Sequence, residues 1–209
     1  MMCFTRGARI AIMTAVLPLA GCVSVLKSGP PDNLYRFGIV EDPAHEAPII
    51  ERDKKPVTLG RVRFAPEIDG DRILTAHGDT VLYIKDARWV APAPDLFTQA
   101  VMRRFEQATS SVRLLPAAAR GNGAPLLHLT IDRFEADYRG NAQKSDAPTI
   151  RVSGSATLVD SASLQPIASR RFTVDERASA SSQSAITSAF DRAVSHYTLQ
   201  ILEWCEVVH

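Results

Sequence analysis

Apolar and polar positions alternate with periods that change along the chain, and the changes divide it into elements. Ile10 to Leu19 is apolar except for Thr14 and Pro18, and it is too short to span a bilayer. Leu34 to Val40 (LYRFGIV) has strand character. Glu41 to Pro56, acidic and carrying Pro43, Pro48 and Pro56, reads as a surface loop. In Val57 to Phe64 the apolar phase switches, since Val57 and Leu59 share one face while Val62 and Phe64 share the other. Gly60 sits at the switch, as a β-bulge requires. Arg72 to Ala76 and Thr80 to Ala87 flank Gly78-Asp79 and predict a hairpin whose second arm Trp89 closes.

Pro92-Ala93-Pro94-Asp95 then opens a helix, prolines being tolerated before and within a first turn. Its apolar stripe is Phe97, Ala100, Val101, Phe105 and Ala108, at helical spacing. Val112 to Leu115 is a short strand, and Gly121-Asn122-Gly123 marks a turn. Leu126 to Tyr138 is a long strand with a second phase switch. Leu127, Leu129 and Ile131 alternate, then Phe134, Ala136 and Tyr138 continue on the other parity, so a bulge belongs near Asp132-Arg133. Ile150 to Leu158 alternates most cleanly, with Ile150, Val152, Ala156 and Leu158 inward and Arg151, Ser153, Ser155 and Thr157 outward. Ile167 to Asp175 follows a turn at Asp160 to Pro166. Ser179 to Ser184 leads into a final helix whose stripe is Ile186, Ala189, Phe190, Ala193, Val194, Tyr197, Ile201 and Leu202. Strands, helix, strands, helix: this order predicts an α+β fold. It is a single mixed, largely antiparallel sheet covered on one face by two helices.

The N-terminal stretch changes the picture of where this domain resides. Arg6 and Arg9 precede the apolar run, and Leu19-Ala20-Gly21-Cys22 closes it. Charge, apolar core, small residues and cysteine arrive in the order of a bacterial lipoprotein signal, whose cysteine takes a diacylglycerol. The alternative, a chance apolar helix ending in a buried cysteine, does not require that order. The chain thus divides into a lipoprotein signal peptide at 1–21, a lipid-proximal tether at 22–33 and a domain at 34–209. Cleavage before Cys22 removes two basic and no acidic residues, leaving 22 against 23 and moving the formal charge from +1 to −1. Such a chain carries no electrostatic footprint for nucleic acid and no polybasic patch for anionic lipid. Attachment to a membrane then falls to the acyl chains. Val23 follows Cys22, without the Asp that serves as the usual inner-membrane retention signal, so the expected location is the outer membrane, on its periplasmic side.

Cys3 leaves with the signal, Cys22 takes the lipid and Cys205 stands alone, which excludes an intrachain disulfide. Cys205 reads as a small core hydrophobe on the last helix. The histidines are His45, His77, His128, His196 and His209. None pairs with another at metal-site spacing. His128 lies opposite the apolar face of its strand, as a solvent-facing or hydrogen-bonded side chain does, and His196 falls on the polar side of the last helix. Asp69-Gly70-Asp71 lacks the remaining ligands of a calcium loop and reads as a turn. Ser24-x-x-Lys27 matches a nucleophile motif only by chance, lying beside the lipid without its companion motifs. No phosphate-cradling loop or nucleophile elbow occurs. No catalytic residue, cofactor or metal is therefore assigned. Trp89 and Trp204 read as core fillers, with an interface anchor as the alternative. Trp89 stands where the sheet meets the first helix, and Arg88, its strand neighbour, points the other way with its guanidinium free for a carboxylate or a partner.

In sequence order these segments resemble the ABC-type transport auxiliary lipoprotein component family, which includes PqiC-like intermembrane transport lipoproteins. The resemblance rests on the lipobox at Cys22, the aromatic strand Leu34-Tyr35-Arg36-Phe37 and Val62-Arg63-Phe64-Ala65-Pro66 with Asp71-Arg72-Ile73. It rests further on Arg88-Trp89 before the first helix and Arg133-Phe134-Glu135 in the long central strand. It covers about Leu34 to Leu202. The acidic stretch from Glu41 to Pro56, and Phe37 where many members have Leu, depart from the family pattern. The resemblance implies a non-catalytic lipoprotein of a lipid-transport machine, working with an MCE-domain protein, an ABC permease and an ATPase. Homo-oligomers are compatible with it. Two other readings share the anchor: an assembly lipoprotein for lipopolysaccharide or barrel proteins, and a lipid-anchored envelope hydrolase.

Overall fold

Alternation and its interruptions translate directly into strands and bulges. The computed structural model describes residues 32–39, 54–119, 123–139 and 146–209. All of them fall in the unit Pro31–His209. The elements are β1 (Asn33–Tyr35), β2 (Lys55–Phe64), β3 (Arg72–His77), β4 (Thr80–Trp89), α1 (Ala93–Gln107), β5 (Val112–Leu115), β6 (Leu126–Asp137), β7 (Thr149–Val159), β8 (Pro166–Arg177) and α2 (Gln183–Val208). The Cys22 lipobox, the Ser24-x-x-Lys27 match, Gly121-Asn122 and the acidic stretch from Glu41 to Asp53 lie outside the described residues.

β6 organises the sheet. β7 runs antiparallel along its whole length, and β8 continues the meander beyond β7. The other edge of β6 is shared, its first half pairing with β2 and its second half with β3, both parallel. β5 extends the sheet beyond β2, while β4 and then β1 extend it beyond β3. The long ladders and the β3–β4 hairpin are antiparallel, and the shorter contacts are parallel.

Both phase switches are bulges. In β2 the register with β6 slips between Leu59 and Val62. A Cβ on Gly60 would stand 2.7 Å from the His128 ring, whose Nδ1 accepts the Arg61 backbone N–H at 2.9 Å. In β6 the slip falls between Ile131 and Arg133, leaving Asp132 as the extra residue. Gly154 lies opposite, and a Cβ there would come within 2.1 Å of the Thr130 carbonyl oxygen. Glycine is required because the bulged backbone occupies the space of a side chain. Ser153, expected outward, is buried and donates to Asp132 Oδ1 at 3.3 Å, because the bulge turns Asp132 towards it.

The helices bury their predicted stripes against one face of the sheet, except that α1 ends at Gln107 and Ala108, its half-buried extended C-cap, lies beyond it. Leu96 adds to the stripe of α1, and Thr187, Thr198, Trp204 and Cys205 add to that of α2. Pro92 caps α1 with Pro94 in its first turn, and Ser182 caps α2 by accepting the Ala185 N–H. These are the positions where proline and serine suit orphan helix donors. Phe97 and Phe172 stack edge-on against Tyr197, joining α1, β8 and α2 in one core.

The first strand is shorter than the sequence pattern implies. β1 ends at Tyr35, since Phe37 turns into the core and Gly38 adopts φ +74°. A Cβ on Gly38 would also strike Ala100 Cβ of α1 at 2.4 Å. The tight approach and the left-handed backbone both demand glycine, and Asp191 of α2 accepts the Gly38 N–H at 2.5 Å.

Candidate functional site

Arg88 and Trp89 end β4 and diverge as strand neighbours do. Trp89 is 2% exposed. Its indole meets Phe37 edge-on at 4.9 Å and Phe190 at 5.2 Å, with Phe134 at 6.0 Å. One aromatic cluster therefore joins the segment after β1, the end of β4, the middle of β6 and α2. Edge-to-face packing adds roughly 0.5–1.5 kcal/mol per pair beyond the burial of area. The backbone at this junction is equally committed. Trp89 N–H donates to Asp71 O at 2.7 Å, Val90 N–H to Tyr35 O at 2.8 Å and Ala93 N–H to Gly70 O at 2.9 Å.

On the opposite face the Arg88 guanidinium bridges Asp32, through a short bond from Nε, and Asp71 at 3.2 Å from Nη1. The hydrogen bonds to Asp32 and then Asp71 raise its pKa further, so it is permanently charged. Asp71, in the turn Asp69-Gly70-Asp71, thus serves as an ion-pair partner. Among the described residues no group of His, Cys, Asp and Glu side chains is placed to hold a metal.

Gln183, on the first turn of α2, completes the junction. Its Oε1 accepts from Asn33 Nδ2 and Tyr35 Oη, both at 3.1 Å, and its Nε2 donates to Lys85 O at 2.9 Å. Lys85 precedes Asp86, which has φ +56°. There the β3–β4 register is interrupted, resuming at Arg72 opposite Arg88, while β1 pairs along the other edge of β4. Sequence reasoning missed Gln183, Asp191 and Asp32 because each acts on a segment remote in the chain.

Beside this junction lies a groove of about 230 Å³, lined by Arg36, Phe37, Ile39, Val90, Ala91, Leu96, Gln99 and Arg103. Its floor is apolar, and Val90 is 45% exposed within it. Arg103 Nε is buried with no hydrogen-bond partner among the described residues.

A separate charged network covers the outer face of the meander. Asp137 accepts from Arg139 Nε and Nη2, both at 2.8 Å, and from Arg151 Nη1 at 3.3 Å. Arg139 also reaches Glu135 at 2.7 Å, and Arg151 grips Asp175 at 2.7 and 2.9 Å. Burial raises the Asp137 carboxyl, but the bonds and charge of Arg139, with Arg151, outweigh burial and hold it below the ordinary value. On α2, burial pushes the Cys205 thiol up to about 12, which keeps it a protonated core group. His196 approaches Glu176 at 3.5 Å. Among the described residues no helix is long and apolar enough to cross a membrane.

This architecture recurs in solved structures. A Xanthomonas campestris protein of the family DUF330 matches with TM-score 0.64 and 25% identity, over 74% of this chain and 85% of that one. An uncharacterised protein matches with TM-score 0.64 and 11% identity, over 84% and 99%, and shares the fold. No curated protein matches the sequence. The sequence model of the ABC-type transport auxiliary lipoprotein component matches residues 38–202, from the Gly38 turn into the last helix. The chain belongs to the family of ABC-type transport auxiliary lipoprotein components.

Proposed function

We propose that this protein is a non-catalytic, lipid-anchored accessory of an ABC transport system of the MCE type, which moves lipids across the envelope. In this reading Cys22 carries the lipid, the anchor lies in the outer membrane on its periplasmic side, and the domain links that membrane to a periplasmic MCE-domain protein. The family match over residues 38–202 supports the accessory role. The observation that carries the linking role is the attachment of β1. The tether from Cys22 enters the domain at Asp32, whose carboxylate is held by Arg88. β1 then pairs in parallel with Ala87 to Trp89. Load arriving from an anchor at Cys22 would therefore enter the sheet beside the aromatic core.

Crosslinking in whole cells, with identification of the captured protein, tests the reading. Recovery of an MCE-domain protein is expected, and deletion should sensitise cells to membrane-perturbing agents. Cys22→Ala should leave the precursor unprocessed or release the protein from membranes. Capture of a lipopolysaccharide- or barrel-assembly component instead would overturn the transport role and leave the anchor standing.

A further inference from the structure

We propose that the groove beside Trp89 holds the head region of an anionic phospholipid from the membrane to which the chain is attached. This rests on the anchored-accessory reading above, but its geometry belongs to the folded domain. The floor, made by Phe37, Ile39, Val90, Ala91 and Leu96, is apolar, while the polar side chains lining it are Arg36, Gln99 and Arg103. No carboxylate among the described residues lines it. Neither guanidinium makes an ion pair among the described residues, whereas Arg88, Arg133, Arg151 and Arg171 on the sheet are each paired with Asp or Glu. The groove is therefore amphipathic and electropositive, which matches an occupant with apolar chains and a negative head. A neutral amphiphile would leave both cations uncompensated, and an inorganic anion would leave the floor wet.

Arg103 adds a directional feature. It stands on α1 two turns after Leu96, and its Nε is buried without a partner among the described residues. A buried donor without an acceptor is costly, and a phosphodiester oxygen would satisfy it. Arg36, directly after β1, lines the same groove. Two arginines lining one groove from separate segments suit a phosphate better than two lysines would, because each offers a planar fork.

The location favours a membrane lipid over a soluble anion. Nine residues, Val23 to Pro31, and so ten Cα–Cα steps, separate the anchor cysteine from Asp32, the first residue held by Arg88. Fully extended, they span at most about 36 Å. Arg36 follows four residues later, so the groove lies within about 50 Å of an anchor at Cys22.

The test uses full-length protein extracted in neutral detergent, carrying a photoreactive side chain at Val90. The probes are dihexanoylphosphatidylglycerol and dihexanoylphosphatidylcholine, soluble short-chain lipids that reach the groove whether or not Cys22 is anchored. Adduct formation should favour the phosphatidylglycerol and fall about fivefold for each of Arg36→Gln and Arg103→Gln, the size expected for one cation near an anionic headgroup. Arg36 is exposed, so its variant should fold normally. Equal adducts with both lipids, no lipid adduct, or adducts indifferent to both arginine variants would overturn the proposal. So would competition by inorganic phosphate alone as effective as by the lipid. Membrane release of Cys22→Ala is scored separately, so loss of the anchor reading and loss of the groove reading give different results.

Discussion

The meander β6–β7–β8 and the β1 junction are held together by different means. Along the meander, ladders run from end to end, and alternating side chains fix which face each residue takes. β1 has only Asn33 to Tyr35 in register with Ala87 to Trp89. Its hold comes from groups brought from far along the chain: Asp32 to Arg88, Asn33 and Tyr35 to Gln183, Phe37 to Trp89, and Gly38 to Asp191. A long ladder tolerates the loss of one side-chain contact. A short one does not, because its few backbone bonds cannot offset the entropy of ordering the segment.

The difference can be broken most severely at Trp89. Trp89→Ala should cost about 3–5 kcal/mol, removing the ring against which Phe37, Phe190 and Phe134 pack. A denaturant titration should show the midpoint falling, with hydrogen exchange of Asn33 to Tyr35 accelerating beyond the global loss. An unchanged midpoint with lost partner capture would instead make the indole an interface anchor.

The meander has its own weak point. Gly154→Ala must displace the Thr130 carbonyl oxygen or the bulge at Asp132, and overpacking of this kind costs roughly 1–3 kcal/mol. Its effect should appear in the exchange rates of β6 and β7 and leave β1 protected. Equal loosening of both regions would erase the distinction drawn here.

Acid should sharpen it. The Asp137 carboxyl is held below its ordinary value of 3.8, so the folded state binds that proton less readily than the unfolded one. Its contribution is present above the unfolded value and is lost as pH falls through the lower, folded value. Thermal midpoints measured downwards from pH 5 should therefore drop in the native protein below about pH 3.8. They should drop less steeply in Asp137→Asn, which lacks the titrating group but starts less stable.

The smallest effect belongs to Arg88→Ala. The pair is half-exposed, and ion pairs open to solvent contribute little to global stability. The midpoint should barely move, while exchange at Asn33 to Tyr35 should quicken because Asp32 is released. A large fall in the midpoint would show that the clasp supports the whole sheet.

Much of the domain was legible from period alone. The strand–helix–strand–helix order, both helix stripes and the two bulges followed from where apolar positions change parity, with Gly60 marking one of them. Such features are local, since the preference of a strand or helix for a buried face is written in neighbouring residues. Leu34 to Val40 misled because its apolar residues alternate loosely like a strand, whereas Gly38 and Phe37 obey the packing of α1 and the aromatic core.

By itself the sequence determined the α+β class, the sheet with its covering helices, the core positions of Trp89 and Cys205, and the outward turn of Arg88. The tertiary structure alone decided that β6 shares one edge between β2 and β3, and that β1 docks in parallel on β4. It alone placed Gln183 across that joint and brought Arg36 and Arg103 to one groove. Those outcomes depend on closing loops between segments scores of residues apart. Side-chain period encodes which face is buried, but it carries no record of which distant segment will cover it.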